Sequence, residues 1–244
     1  MSNENRKMMI MFHPDDPEWT LADPRLLIDT DLILLTKGGA IEVDNGVLLQ
    51  SSTKGDNRIQ EQQAAMAIRQ MGRLFPLDLP DAHLNTIGLE GIVPALLHIV
   101  DSARKEGTVY SSIVSLRPYT NSRQGKKKED GYTGHPDHVI GAEAVEALFG
   151  LRPQFTELDQ AVMPPEQWLL WPLTWRLGNQ TIEVPKPDIR DCFSVNISPD
   201  ARARQISAIR EHRSQWGGSN GGQRQIARLE GIPPVDYYNI YTRP

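Results

Sequence analysis

Short apolar segments alternate with longer amphipathic segments over the first 150 residues, and this alternation constrains the fold most. The apolar segments have the length of buried strands, and the amphipathic segments carry apolar residues at helical spacing. Alternating strands and helices predict an α/β, three-layer fold with a mainly parallel sheet. The predicted strands are Met8–Phe12, Leu32–Thr36 and Val109–Leu116, and the predicted helices are Asn57–Met71, capped by Asn57, Leu89–Arg104 and Val139–Phe149.

The chain after Gly150 differs in composition. It contains ten of the 18 prolines and four of the five tryptophans, three of them in Trp168–Trp175. We expect an irregular Pro/Trp-rich region there, with strands at Thr181–Val184 and Cys192–Ile197 and a helix at Ser198–Arg213. The Trp168–Trp175 segment is interpreted as packing of this region, although a sugar-stacking wall or a subunit contact would also account for it.

Charge and cysteine content narrow the function classes. The formal net charge of −5 disfavours nucleic acid and anionic membranes as partners. The single cysteine, Cys192, excludes an intramolecular disulfide framework and a zinc site built from several thiolates. No apolar run approaches the ~20 residues of a transmembrane helix. We therefore expect a cytoplasmic protein with a small-molecule partner, and a homo-oligomer is compatible with the sequence.

Two short strings of the same type carry the candidate chemistry. The first, His13-Pro14-Asp15-Asp16, follows the first predicted strand, and the second, His135-Pro136-Asp137-His138, precedes the third predicted helix. Together they contain three of the six histidines. Because each string lies at a strand–helix connection, we expect both at the carboxyl edge of the parallel sheet, where ligands bind.

The imidazole and carboxylate groups of these strings suit a divalent metal site. Two histidines and one carboxylate would bind zinc and leave a fourth position for water, which the ion acidifies. One of Asp15 and Asp16 would bind the metal while the other acts as general base. One of His135 and His138 would bind the metal while the other, held protonated by a carboxylate such as Asp137, polarises a carbonyl. A simpler interpretation is a pair of turns in which the aspartates only cap helices.

The two strings resemble the signature of the LmbE-like, or PIG-L, zinc-dependent N-acetylglucosaminyl deacetylases. That family has His-Pro-Asp-Asp after its first strand and Gly-His-Pro-Asp-His ahead of a later helix, and this chain has the second sequence at Gly134–His138. Softer matches are the Arg-x-x-Glu string at Arg58–Glu61 and the His-x-Ser-Gln string at His212–Gln215. The resemblance covers most of residues 8–216 and implies a Rossmann-like fold.

The resemblance also implies one zinc ion per chain. By position, the ligands would be His13, Asp16 and His138.

The same resemblance assigns catalytic roles. Asp15 would be the general base, and His135 would stabilise the oxyanion and then protonate the amine. Asp137 would orient His135 and keep it protonated. Arg58 would bind the sugar of an N-acetylated substrate.

The sequence departs from the family pattern after the first string. Pro17–Thr20 stands where the family has a glutamate and then a glycine-rich helix start. Trp19 is interpreted either as a substrate-contacting ring or as a core residue, and Tyr132 either as a substrate contact or as a loop residue without a role. The family's aspartate after the third strand corresponds to Asp78 or Asp81. These departures affect the substrate more than the chemistry.

Together these features predict a zinc-dependent hydrolase that removes an N-acetyl group from an amino sugar or an amino-sugar conjugate. A second hypothesis keeps the zinc site and changes the reaction to hydrolysis of another amide or hydration of a double bond. A third is a non-catalytic metal- or sugar-binding protein. We expect a single domain over residues 1–244, with catalysis in 1–150 and substrate specificity in 151–244.

Two features outside the strings also carry expectations. Lys126–Lys128 is interpreted as a solvated loop, although it could also attract an anionic substrate. His212 lies near a predicted helix C-terminus, where we expect it to interact with the helix dipole.

Overall fold

The computed structural model describes residues 4–43, 47–117, 135–162, 174–177, 180–183, 192–215, 226–227, 230–231 and 235–242. Its strands, in chain order, are β1 (Glu4–Met11), β2 (Asp31–Thr36), β3 (Ala40–Val43), β4 (Val47–Gln50), β5 (Leu74–Leu79), β6 (Thr108–Leu116), β7 (Glu157–Val162), β8 (Thr174–Leu177), β9 (Gln180–Glu183), β10 (Phe193–Asn196) and β11 (Val235–Thr242).

The helices vary from single turns to about five turns. They are α1 (Asp16–Thr20), α2 (Pro24–Leu27), α3 (Ser52–Arg69), α4 (Leu84–Ile87), α5 (Leu89–Lys105), α6 (Pro136–Leu151) and α7 (Pro199–Glu211), and a 3₁₀ turn follows at Arg213–Gln215.

Seven strands form one mixed sheet in the order β10-β11-β7-β6-β1-β2-β5. The five strands from β7 to β5 are parallel, and β11 and β10 extend the sheet by antiparallel pairing. Helices α1, α3 and α7 pack in one group, and α4, α5 and α6 pack in a second. The predicted α/β, three-layer fold with a mainly parallel sheet is confirmed.

The strand order reverses beside β1. The chain passes from β1 outward to β2 and β5, then returns to place β6 on the other side of β1. In such sheets the connections on either side of the reversal diverge and leave a crevice at the carboxyl ends of the strands. The two His-Pro-Asp strings belong to the connections that follow β1 and β6, so the topology brings both of them to this crevice.

The segment Met8–Phe12 is fully buried and forms the centre of the core. Helices cover both faces of the sheet here, which explains why the segment is continuously apolar rather than alternating. At the opposite edge of the sheet from the crevice, the buried Asp31 carboxylate accepts hydrogen bonds from Tyr110 Oη at 2.7 Å and from the Arg73 side chain at 2.8 Å. This cluster ties the starts of β2 and β6 together.

The start of α3 lies earlier than the sequence predicts. The cap is Ser51 rather than the predicted Asn57, and the Ser51 hydroxyl accepts a hydrogen bond from the Lys54 backbone N–H at 3.2 Å. The helix therefore continues through Gly55, where an added Cβ would lie 3.1 Å from Lys37 Cβ. The glycine permits close packing inside the helix and does not terminate it.

Several predicted features fall outside the described residues, including those for Tyr132, Lys126–Lys128 and the side chains of Trp168–Trp175. Within the described ranges, no helix combines the length and the apolar character needed to cross a membrane.

The contact of α6 with Phe12 gives a test of this packing. An added Cβ at Gly141 would lie 2.3 Å from the buried Phe12 ring, whereas one at Gly150, on the same helix, would meet no atom within 4 Å. We expect Gly141→Ala to lower the free energy of unfolding by about 1–3 kcal/mol through overpacking. Gly150→Ala should raise it by up to about 1 kcal/mol through helix propensity. Denaturant unfolding measures both, and equal values would contradict the close approach of α6 to Phe12.

Candidate functional site

The two His-Pro-Asp strings meet in the crevice between β1 and β6. His13 Nδ1 lies 3.0 Å from His138 Nε2, although the residues are 125 positions apart. The His135 ring lies beside both, with centroids 4.8 Å from His13 and 5.1 Å from His138. Three imidazoles thus converge where the topology predicts a ligand site.

Asp16 completes a triangle of donor side chains with His13 and His138, and a different carboxylate oxygen faces each ring. Its Oδ2 lies 3.4 Å from His13 Nδ1, and its Oδ1 lies 3.4 Å from His138 Nε2. Ligand atoms about 2.0 Å from a tetrahedral zinc ion are about 3.3 Å apart. The observed separations of 3.0–3.4 Å therefore fit one small cation held between these three side chains.

The Asp16 carboxylate is fixed by the turn that carries it. Its Oδ2 accepts backbone hydrogen bonds from His13 at 2.8 Å and from Phe12 at 3.2 Å. Burial alone would raise the pKa of Asp16, but the neighbouring His138 and His13 outweigh burial and hold the pKa well below its ordinary value. Asp16 is therefore an ionised and preoriented oxygen donor.

The other nitrogen of His13 faces two buried carboxylates. Nε2 lies 3.2 Å from Asp81 Oδ1 and 3.4 Å from Asp137 Oδ2. Burial alone would lower the pKa of His13, but Asp16, Asp137 and Asp81 together raise it well above its ordinary value. A proton on Nε2 leaves the Nδ1 lone pair directed at the donor triangle, which is the usual carboxylate–histidine–metal arrangement.

Asp81 and Asp137 are held as acceptors by backbone amides. Asp137 Oδ2 accepts from the Ala82 N–H at 2.7 Å and Oδ1 from the Leu84 N–H at 2.9 Å, while Asp81 Oδ2 accepts from the Ala40 N–H at 2.8 Å. With His13 they form a second group of potential metal ligands. Because both carboxylates face His13 Nε2 and the donor triangle lies at Nδ1, we assign them to orienting His13 rather than to binding an ion.

Asp15 points away from its own helix and towards Arg58. It is the N-cap residue of α1 but makes no side-chain capping bond. Its Oδ1 instead accepts a hydrogen bond from Arg58 Nη2, while Arg58 Nη1 donates to the Gly38 carbonyl at 3.0 Å. Gly38 has φ of +68°, and a side chain there would overlap the guanidinium. A pair of turns in which the aspartates merely cap helices does not describe this string.

His135 is the N-cap of α6, and its geometry defines a tautomer. Its Nδ1 accepts a hydrogen bond from the Asp137 backbone N–H at 3.3 Å, so the ring proton belongs on Nε2. Burial, with the neighbouring His13 and His138, lowers the pKa of His135 to about 3. The geometry differs here from the expectation that the Asp137 carboxylate orients His135 and keeps it protonated, since that carboxylate faces His13.

Burial distinguishes the two roles considered for Trp19, and contacts distinguish the two aspartates at the end of β5. Trp19 is buried, with 4% exposure, which favours core packing over substrate contact. Asp81 lies at His13, whereas Asp78 is exposed and lies 3.4 Å from Lys37 Nζ, so Asp81 is the site residue after β5. Tyr132 lies outside the described residues.

His212 is the residue whose position the sequence pattern predicts least well. It lies at the C-cap of α7, near the helix end as predicted, but it is fully buried, and its Nε2 lies 3.1 Å from Glu18 Oε2. Nearby, Ser214 donates to Glu61 through its backbone N–H at 2.7 Å and its hydroxyl at 2.6 Å. The two soft motifs of the sequence, on α3 and at the end of α7, therefore contact each other.

The described part of the site carries more negative than positive charge. Lys54 belongs to it, because its ammonium group donates a hydrogen bond to the Ala40 carbonyl and the Ala40 N–H donates to Asp81. Four carboxylates face two cationic side chains, so two positive charges are missing before any proton on histidine is counted. The carboxylates are Asp15, Asp16, Asp81 and Asp137, and the cations are Arg58 and Lys54.

No protein-family model and no curated protein sequence matches the chain. Solved structures match it over nearly its whole length. A deacetylase of the teicoplanin biosynthetic pathway aligns with a TM-score of 0.63 and 14% identity over 98% of this chain and 99% of that chain. N,N'-diacetylchitobiose deacetylase from Pyrococcus horikoshii aligns with a TM-score of 0.56 and 17% identity over 98% of this chain and 84% of that chain.

A third solved structure has a different activity. The 4-carboxy-2-hydroxymuconate hydratase from Pseudomonas putida aligns with a TM-score of 0.55 and 13% identity over 99% of this chain and 98% of that chain. Identities this low establish a shared fold and leave the reaction to the residues of the site. The chain therefore has the fold of a group of structures that includes both deacetylases and a hydratase.

Proposed function

We propose that this chain is a zinc-dependent hydrolase that removes an N-acetyl group from an amino sugar or an amino-sugar conjugate. The observation that carries the proposal is the donor triangle of His13, Asp16 and His138, with its 3.0–3.4 Å separations. His135 lies against this triangle, and Asp15 precedes Asp16 in the same turn. A carboxylate and an imidazole adjoining an open metal position are the groups needed for hydrolysis by activated water.

Zinc is the ion that best fits the residues present. Two imidazole nitrogens and one carboxylate oxygen form a ligand set common in catalytic zinc sites, with the fourth position left for water. One divalent ion also supplies the two positive charges that the described site lacks. A teicoplanin deacetylase of the same fold has been solved in a zinc-inhibited form, with a TM-score of 0.59 and 13% identity. We propose one zinc ion per chain.

Asp15 is the proposed general base. Bound zinc would acidify water and polarise the amide carbonyl. Arg58 holds Asp15 Oδ1, which leaves Oδ2 to accept the proton of the attacking water. The same carboxyl group then holds the proton that the departing amine needs. We retain Arg58 as a candidate sugar ligand as well, because a guanidinium has five N–H donors and both roles are compatible.

His135 is the proposed oxyanion donor. Its Nδ1 already accepts the Asp137 N–H, so Nε2 bears the proton and a neutral ring is able to donate to the carbonyl oxygen. Preorganised donors of this kind stabilise the charge that develops in the transition state, typically by about 2.7–4 kcal/mol for a single donor. The role that the resemblance assigned to protonated His135 is thus performed here by its neutral form.

The charge balance favours a neutral substrate. With one divalent ion, the described carboxylates and cations of the site cancel, so no surplus positive charge is left for an acidic substrate group. An N-acetylated sugar is neutral around its reacting amide. The hydratase of the same fold acts on a carboxylated compound and represents the second candidate function, hydration of a double bond at the same site.

The remaining expectations are part of the same proposal. A small-molecule glycoconjugate partner and a cytoplasmic location agree with the charge and cysteine content of the chain. Substrate specificity in residues 151–244 is proposed from the Pro/Trp-rich composition of that region. A non-catalytic binding protein is disfavoured, because metal or sugar binding alone would not need Asp15 paired with Arg58.

Loss of either histidine of the donor triangle should abolish metal-dependent stabilisation. A ligand that binds only the folded state at 100 times its dissociation constant adds about 2.7 kcal/mol to stability. We expect zinc to raise the unfolding temperature of the wild-type protein, and to have no such effect on His13→Ala or His138→Ala. His98→Ala, on the exposed side of α5, is the matched control and should respond as the wild type does. Stoichiometric, tight zinc in both site variants would overturn the ligand assignment.

Asp15→Asn should separate metal binding from turnover. The amide keeps the shape of the side chain but cannot accept a proton, so kcat should fall by about 10²–10⁴-fold. Zinc content, measured by elemental analysis, should stay near one per chain because Asp15 is not a proposed ligand. A fully active Asp15→Asn enzyme would remove this residue from the mechanism.

The reaction itself is tested by product detection. Zinc-loaded protein is incubated with N-acetyl sugars and with glycosyl conjugates, and acetate release is measured. A parallel assay follows loss of ultraviolet absorbance of unsaturated hydroxy-carboxylates. Acetate released by the wild type but not by Asp15→Asn supports the deacetylase. Hydration without acetate release would select the second candidate.

A further inference from the structure

We propose that the buried pair Glu18–His212 is a positioning element that fixes α1 and thereby holds Asp15 and Asp16 in their catalytic geometry. The inference rests on the proposed function, because it concerns how the base and one metal ligand of that site are placed. It assigns a role in catalysis to α7, which lies outside both His-Pro-Asp strings.

Helix α1 is too short to hold its own position. It has five residues, it begins at the proposed ligand Asp16, and its N-cap Asp15 makes no side-chain capping bond. Isolated helices shorter than about 12–15 residues are marginal in water. The orientation of Asp15 and Asp16 must therefore be set by groups outside α1.

Those groups are side chains of α3 and α7 that donate hydrogen bonds to the backbone of α1. Arg69 donates to the Pro17 carbonyl at 3.0 Å and also to the Leu21 carbonyl. Gln205 donates to the Glu18 carbonyl at 2.7 Å. The bonds to the Glu18 and Leu21 carbonyls satisfy acceptors at the end of a short helix. Arg69 adds a second donor to the Pro17 carbonyl, which already accepts the Leu21 backbone N–H at 3.2 Å.

The Glu18 side chain makes the contacts that fix the orientation of α1. It is fully buried, and its Oε1 accepts from Gln62 Nε2 at 3.2 Å and lies 3.5 Å from Arg69 Nη1. Its Oε2 lies 3.1 Å from His212 Nε2, so the proton of that ring belongs on Nε2. A buried carboxylate is costly unless it is paired, and removal of one partner leaves an uncompensated charge. The pair therefore tolerates only one placement of Glu18, two residues from Asp16.

The end of α7 is itself attached to the helix that holds Asp15. His212 is the C-cap residue of α7, and Ser214 just beyond it donates twice to Glu61 on α3. Glu61 lies one turn from Arg58, the partner of Asp15. Asp15 and Glu18 are thus both joined to α3 by side-chain hydrogen bonds. The proposed base and the buried pair therefore belong to one connected unit.

If the Glu18–His212 pair were only structural, its loss would lower the stability of the protein and leave metal binding and turnover unchanged. The Asp31 carboxylate is also fully buried and hydrogen-bonded, although its partner Arg73 is partly exposed, and it lies at the opposite edge of the sheet. Its loss should cost stability without changing metal binding or turnover. Asp31→Asn is therefore the matched control for changes at Glu18 and His212.

The experiment compares His212→Leu, His212→Gln and Asp31→Asn in the full chain. Each is measured for zinc affinity by competition with a chelator, for unfolding temperature, and for kcat and KM at saturating zinc. Changes to groups that orient metal ligands typically cost about 10–100-fold in metal affinity or activity. We expect that loss in zinc affinity and kcat for His212→Leu, with KM nearly unchanged. His212→Gln, which keeps an N–H donor for Glu18, should recover most of both, and Asp31→Asn should lower only the unfolding temperature.

Failure of the positioning role and failure of the proposed function give different experimental results. A folded His212→Leu with wild-type zinc affinity and kcat overturns the positioning role while leaving the proposed function intact. If His212→Leu does not fold, His212→Asn serves instead, because its shorter amide cannot reach Glu18 in the same geometry, and unchanged zinc affinity there overturns the proposal equally. A wild-type protein that binds no zinc overturns the proposed function together with this inference.

Discussion

The imidazole of His13 makes contacts through both of its nitrogens, and the rest of the site depends on this. Nδ1 faces Asp16 and His138, while Nε2 faces Asp81 and Asp137. Such an arrangement requires the loops after β1 and β5 and the start of α6 to converge around one ring. A parallel sheet whose strand order reverses beside β1 provides that convergence at its carboxyl edge.

The donor residues were predictable because local signals and topology agree. The apolar run before His13 is typical of a buried central strand, and Val139–Phe149 is predicted as a helix just after the second string, so both strings could be placed at strand–helix connections. The helix begins at Pro136, three residues earlier than predicted, so the second string forms its N-cap and first turn. The sequence could not distinguish Asp78 from Asp81, because the two aspartates lie within three residues of each other at the end of β5. Only tertiary contacts with the Ala40 amide and with His13 separate them.

The unpredicted parts rely on polar groups buried by distant partners. Glu18 and His212 are 194 positions apart, and a polar residue in a short helix ordinarily indicates a surface position. Strand β7 was missed for the same reason, since Asp159 and Gln160 are buried within it and interrupt the apolar pattern. The orientation of the Asp137 carboxylate towards His13 rather than His135 likewise depends on the Ala82 and Leu84 amides, which no local pattern identifies.

The charge distribution links the stability of the fold to its proposed activity. Carboxylates brought together in a buried site repel one another, and their desolvation is offset by Arg58, by Lys54 and by the neighbouring His13 and His138. Apolar packing elsewhere in the fold compensates for this cost in stability. It includes the fully buried Met8–Phe12 strand and the close contact of Gly141 with the Phe12 ring. A divalent ion at His13, Asp16 and His138 would relieve the repulsion that the protein scaffold maintains. Binding of the proposed ion would therefore be linked to folding stability through the same electrostatic interaction.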